Sequence, residues 1–413
     1  MSSPRNLLEQ WFPHASKPFI ANAPMLGTAN STLSAAVTAA SGFGFIGGGY
    51  DFSPESKQMS ALSNELAATR KLLGLADKPN EPVPIGVGFI TFHPSALPHF
   101  INVLKPILQQ HKPAAVWLFA PAETNPGTHA SIIPALKDFS QQWNMKVFVQ
   151  VGTVSAARSA VLEGADVIIA QGVDAGGHQW TQGCGIVSLV PEIRDLLTSE
   201  FEGKEVVLLA AGGIMDGRGV AAALALGADG VVMGTRFITA RESPAPETTK
   251  KVLLEARDGG ATTIKSTVHD DVQGTGFWPV LYDGRAVMGE SYRDHLEGVS
   301  LEDNVGKFKA AAKLGDASRR TVWAGTGVGL AREELSARDI IEGAQKLARK
   351  RIKDHFNHPS AASPPPVPTQ SKPQHYQRRA VAHRLIPPYW RPDFAPSQPV
   401  STNFKHEVGG GGW

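Results

Sequence analysis

A closed (β/α)₈ TIM barrel is the fold this sequence predicts, with a small added lobe near the barrel mouth and a proline-rich C-terminal tail. Three observations predict it. Eight short apolar runs recur through the first 235 residues, helically spaced segments lie between them, and glycine-rich turns follow the later runs. The runs lack strict polar alternation, as strands covered on both faces do. Regular exchange between the two signals implies parallel β/α units. An open doubly wound sheet is the competing fold. Its usual GxGxxG turn after strand one is missing, for the chain there reads Asn22–Ala23–Pro24–Met25–Leu26.

In chain order the expected strands are Phe19–Ala23, Gly44–Gly47, Val83–Ile90, Ala114–Ala120, Lys146–Val151, Ala165–Ala170, Val206–Ala211 and Gly230–Met233. Examples of the expected helices are Thr32–Ala40, Pro54–Leu73, Leu97–Gln110, Ser131–Trp143, Val154–Leu162 and Val220–Leu226. Several begin after Ser, Thr or Pro, which suits helix starts. These units make residues 1–239 the barrel. Residues 240–320 break the rhythm with helical Glu247–Arg257, the Gly- and aromatic-rich Gln273–Tyr282 and the turn Asp283–Gly284–Arg285. They read as a substrate-side lobe. Residues 321–356 are expected to pack back on the barrel through an amphipathic helix, Leu335–Lys353. Eleven of the 30 prolines fall in residues 357–413, where disorder is expected. A short ordered arm through Leu385–Phe394 is the alternative there.

The charge balance narrows the function. A net charge of +2, split into +4 on the tail and −2 on the body, argues against a protein that grips nucleic-acid backbones. The single cysteine, Cys184, excludes an intramolecular disulfide and a multi-Cys zinc site. It fits a reducing, cytoplasmic setting. No apolar run is long enough to span a bilayer, Met1–Lys17 has no signal-peptide core, and Gly409–Trp413 is no peroxisomal address. A small-molecule enzyme is the expectation, and a homodimer is compatible with it.

Barrel enzymes put their chemistry on loops at the carboxyl ends of strands, and the loops after strands seven and eight often hold a phosphate. Here those loops are Ala211–Gly212–Gly213–Ile214 and Gly234–Thr235–Arg236. Glycines let backbone N–H groups approach an anion, and Thr235 can donate a hydroxyl hydrogen bond. After strand one, Ala23, Pro24 and Met25 can wall a flat ring system. Gln150 lies among apolar neighbours on strand five and must find a partner, which a ligand could supply. Ala170–Gln179 ends in Gly176–Gly177–His178–Gln179, and places an imidazole, a side chain able to take or give a proton, beside that ring. His178 is thus the candidate for proton transfer. Asp174 reads as a loop acid, and Cys184 as an inert thiol. His93 and His99 have no second cluster, so no metal is expected.

These turns together resemble the nitronate monooxygenase family, formerly called 2-nitropropane dioxygenases. The similarity runs from about Pro18 to Leu347 and rests on Ala170–Gln179, Ala211–Gly219, Ala228–Phe237, Ala23–Leu26 and Val322–Gly327. The resemblance implies FMN, with its phosphate on Gly212, Gly213, Gly234 and Thr235 next to Ala211. It implies a flavin ring beside Ala23, Met25, Gln150 and Gly176, with Pro24 and Gly177 also at the cofactor and His178 near the flavin's reactive face and the substrate's nitro group. It further implies oxidation of alkyl nitronates by O₂ to a carbonyl compound and nitrite. Two positions depart from the family pattern. Gly88 stands where many members carry Asn, and Gln150 where some carry Lys. Other readings share these turns: an FMN reductase using NAD(P)H on a quinone or enoyl thioester, and a flavin-binding protein without turnover. A nucleotide dehydrogenase of the IMP type needs a cysteine loop that Thr181–Gly185 matches poorly.

Overall fold

The computed structural model describes residues 4–122 and 127–356. Expectations for the tail beyond 356 lie outside the described residues. Eleven strands are present among them: β1 (Phe19–Asn22), β2 (Gly44–Gly49), β3 (Val83–Ile90), β4 (Pro113–Phe119), β5 (Lys146–Val151), β6 (Val167–Gln171), β7 (Gly177–Trp180), β8 (Val207–Ala211), β9 (Gly230–Met233), β10 (Thr263–Ser266) and β11 (Tyr282–Val287). Eight form one parallel sheet in the order β1-β9-β8-β6-β5-β4-β3-β2. The sheet curls so that β1 meets β2. Phe43 N–H donates to Ile20 C=O at 2.9 Å, and the Asn22 amide both accepts from Phe45 N–H and donates to Phe45 C=O at 2.9 Å. A side chain thus completes the seam where the ladder is short.

Alternation along each strand sorts the core into two shells. Phe19, Phe45, Trp117, Phe148, Ile169 and Leu209 fill the barrel interior. Ile20, Val87, Leu118, Val149, Ile168 and Leu208 pack outward on the helices. An N-terminal helix, Pro4–Trp11, was not expected from the sequence. Leu7, Leu8 and Phe12 join the interior shell, and the Phe12 ring lies 4.3 Å from that of Phe43, closing the barrel floor.

The helix of the sixth unit, Ile186–Glu200, starts after Gly185 with no side-chain cap and contains Pro191, so it lacks the usual start signals that would have placed it. The expected helix Ser131–Trp143 is instead an α-helix, Thr128–Phe139, followed by a 3₁₀ turn, Gln141–Trp143. The returning helix runs Ala337–Phe356 and packs on helices Gly217–Ala225 and Ser31–Ala39. Among the described residues no helix is long and apolar enough to cross a membrane.

The main departure from eight simple units is β7. It lies between β6 and β8 in sequence but outside the barrel wall, in an antiparallel sheet of order β10-β11-β7. Part of the 240–320 segment therefore builds a sheet over the barrel mouth.

Candidate active site

A cavity of about 380 Å³ opens at the carboxyl ends of the barrel strands. All twelve residues singled out from the sequence line it: Ala23, Pro24, Met25, Gln150, Gly176, Gly177, His178, Ala211, Gly212, Gly213, Gly234 and Thr235.

Packing explains the first loop. On β3, a Cβ at Gly88 would lie 2.3 Å from the Pro24 ring, so that strand position must be glycine for the Ala23–Leu26 loop to sit where it does. The departure from Asn at this position is therefore steric as well as polar.

The two phosphate-side turns face the cavity together. Gly212 and Gly213 hold φ of +113° and +68°, in the left-handed region that side chains resist. Among the described residues, the N–H groups of Gly212, Gly213 and Gly234 donate to nothing within the chain. The Thr235 hydroxyl accepts from Gly325 N–H at 3.1 Å, which leaves its own proton to donate. The late glycine-rich stretch thus braces this turn. It also braces the His178 turn, since Thr326 N–H donates to Asp174 C=O at 2.9 Å and the Thr326 hydroxyl lies 3.3 Å from Asp174 Oδ1. Asp174, read from the sequence as a loop acid, is held by Thr326 in this way.

Gln150 finds its partners within the chain. Trp117 Nε1–H donates to Gln150 Oε1 at 3.1 Å, Gln150 Nε2–H donates to Gln171 Oε1 at 2.7 Å, and Gln171 Nε2–H donates to His178 C=O at 3.1 Å. A ligand is therefore not needed to satisfy it. The relay instead ties β4, β5 and β6 to the start of β7, while Gln150 still borders the cavity.

His178 stands on β7 rather than on a free turn. It pairs across the sheet with Gly284, and Gly284 with Ser266 at the end of β10. The next helix, Val268–Gln273, carries Asp270, whose two carboxylate oxygens lie 3.0 and 2.9 Å from His178 Nε2. The Thr275 hydroxyl donates to Asp270 Oδ1 at 2.7 Å. The imidazole also meets two indoles, Trp278 and Trp323. A Cβ at Gly284 would come 2.3 Å from the Trp323 ring, so this glycine admits the indole against the sheet. Beside them His269 donates from Nε2 to Ile264 C=O at 3.2 Å, and burial pushes it below the usual imidazole value.

Sequence reasoning missed Asp270, Trp278 and Trp323 because they reach His178 only through the small sheet. The visible signal was the aromatic-rich Gln273–Tyr282. Tyr50, Phe92, Phe119 and Phe277 complete an apolar outer wall. Among the described residues that line the cavity there is no Lys, Arg, Asp or Glu. Cys184 is outside it, and burial raises its thiol above the ordinary range, which disfavours the reactive thiolate. Among the described residues no group of three or more His, Cys, Asp or Glu could hold a metal.

Comparison with known proteins agrees with this geometry. The nitronate monooxygenase family model matches residues 135–345. A nitronate monooxygenase of Neurospora crassa is 50% identical over 354 residues, 84% of this chain and 93% of its own. The nitronate monooxygenase npaC of Metarhizium robertsii is 33% identical over 362 residues, 84% of this chain and 95% of its own. Among solved structures, FabK from Thermotoga maritima superposes with a TM-score of 0.64 at 25% identity, covering 85% of this chain and 98% of its own. A nitroalkane oxidase from Streptomyces ansochromogenes gives 0.61 at 25% identity, covering 84% and 99%.

Proposed function

This chain belongs to the nitronate monooxygenase family, and we propose from that premise that it oxidises alkyl nitronates, and nitroalkanes after their deprotonation, with FMN as its coenzyme. Two nitronates and one O₂ give two carbonyl compounds and two nitrite ions, so atoms and charge balance.

The observation that carries the reading is one imidazole in a cavity whose lining, among the described residues, otherwise has no ionic side chain. The rest of the lining suits FMN. Unengaged N–H groups at Gly212, Gly213 and Gly234, with the Thr235 hydroxyl, would hold the phosphate by dipoles rather than by a cation. Ala23, Pro24 and Met25 would flank the ring system, with Gln150, Gly176 and Gly177 near its edge. When bound, FMN supplies the electron acceptance that links the nitronate to dioxygen.

The chain's own residues do the remainder. His178 removes the α-proton of a neutral nitroalkane and, once protonated, is the cation that faces the nitronate oxygens. Tyr50, Phe92 and Phe277 receive the alkyl chain and exclude water. The nitronate monooxygenase relatives at 50% and 33% identity weigh against the NAD(P)H reductase reading. Cys184 is unpaired and needs no oxidising compartment, which suits work in the cytosol.

The test is direct. Purified protein, with its coenzyme released and identified, is mixed with an alkyl nitronate in air. Nitrite and the matching carbonyl compound are expected. Protein that carries flavin, releases no nitrite and is bleached anaerobically by NAD(P)H would be a reductase instead.

A further inference from the structure

A histidine that accepts a proton must present a lone pair, and it has two nitrogens on which to carry it. In this chain the choice is made by a residue from the 240–320 segment. Asp270 lies with both oxygens within 3.0 Å of His178 Nε2, and its side chain is only 4% exposed. An ionised carboxylate has nothing to donate, and the Thr275 hydroxyl donates to it in turn. The proton of the neutral imidazole therefore stays on Nε2, and the lone pair falls to Nδ1. Among the described residues Nδ1 has no hydrogen-bond partner, nor is it a buried orphan, and the ring lines the cavity.

We propose that Asp270 is a positioning residue that holds His178 in the Nε2–H form, so that Nδ1 is the atom that takes the α-proton of a nitroalkane. This rests on the nitronate-oxidising function proposed above. In the step, the substrate C–H bond breaks and its proton bonds to Nδ1. The electron pair moves onto the nitro oxygens, which leaves a nitronate and an imidazolium. Asp270 then faces the new charge at hydrogen-bonding distance.

The aromatic neighbours cannot substitute for this carboxylate. The Trp278 stack tolerates a half-turn of the imidazole about Cβ–Cγ, because the ring plane is unchanged. That half-turn would carry Nε2 away from Asp270 and move Nδ1 from its place. Among the described residues, Asp270 is the hydrogen-bond partner that distinguishes the two orientations. The placement is built into the fold, through the pairing of His178 with Gly284, of Gly284 with Ser266, and the helix that follows.

The test uses holoenzyme of Asp270→Asn, whose amide can donate toward Nε2. The readout is the ratio of kcat/KM on a neutral nitroalkane to kcat/KM on its preformed nitronate. A fall in that ratio on the order of 10²-fold is expected, since only the first substrate needs a base. Independently, ¹⁵N spectra of histidine-labelled protein, with the His178 signals assigned by their loss in His178→Gln, are expected to show Nε2–H in the wild type. Asp270→Asn is expected to lose that preference.

A ratio within about threefold of wild type in folded Asp270→Asn, or an Nδ1–H imidazole in the wild type, overturns the proposal. If Asp270→Asn fails to fold, Thr275→Val keeps the carboxylate but removes its hydroxyl donor, and a smaller fall in the same ratio is expected. An unchanged ratio there counts against the proposal. Wild-type protein that releases nitrite from neither substrate refutes the function, and the ¹⁵N tautomer then decides alone on Asp270.

Discussion

The indole of Trp278 lies on the imidazole of His178, 3.7 Å between centroids and 8° from parallel. Phe92 packs on the same indole at 4.6 Å, so the His178 ring belongs to an aromatic stack that reaches the cavity's outer wall. Such pairs contribute about 0.5–1.5 kcal/mol beyond area burial. Trp278→Leu should cost up to about tenfold in kcat/KM on nitroalkanes, the kinetic equivalent of that energy. Steady-state nitrite release measures it. An unimpaired variant would mean that the stack does not order His178.

Thr235 joins two turns, since it accepts from Gly325 while keeping a proton to donate. Hydrogen bonds to charged groups contribute about 1.5–3 kcal/mol. Thr235→Val should weaken FMN binding by about tenfold or more, read as flavin fluorescence quenching on titration of the apoprotein. Thr235→Ser, which keeps the hydroxyl, should stay near wild type. Equal affinities across all three proteins would remove this hydroxyl from the phosphate site.

At Gly88 the added methyl of Gly88→Ala would meet the Pro24 ring at 2.3 Å. Overpacking of this kind costs about 1–3 kcal/mol. Lower stability in urea is expected together with weaker FMN binding, because the displaced loop carries Ala23 and Met25. A variant with wild-type stability and affinity would show that the loop yields freely.

His129 is buried at the start of the helix Thr128–Phe139. Its Nε2 donates to the Thr91 hydroxyl at 2.8 Å, which donates onward to Phe119 C=O at 2.9 Å. Burial lowers its pKa to about 4 from the model-peptide 6.5. The unfolded chain therefore binds a proton between these values that the folded chain does not. Stability is full above pH 6.5 and falls as pH drops toward 4, by on the order of 3 kcal/mol from this group. His129→Gln should flatten that part of the profile in urea unfolding measured at pH 6.5 and 4.5. An unchanged slope would assign the acid sensitivity to other groups.

The barrel was legible because its strands announce themselves locally. Val83–Ile90 and Lys146–Val151 are strands with the limits expected from their apolar runs. The glycine turns were legible because only glycine takes the φ values of Gly212 and Gly213 comfortably. What surrounds His178 was not. Asp270 is 92 residues away in sequence, and no period or cap in one chain encodes an antiparallel pairing of β7 with β11. β7 itself spans four residues, Gly177–Trp180, too few to show a pattern. The partners of Gln150 were hidden for the same reason: polarity in an apolar strand demands a bond but does not name the donor.

The small sheet is grafted onto a wall that uses none of its rungs. Barrel closure and the turns at Gly212 and Gly234 follow the parallel strands, whereas His178 is paired with β11, and β11 with β10. A change in that appendage can therefore shift the His178 imidazole while the scaffold beneath it stays intact.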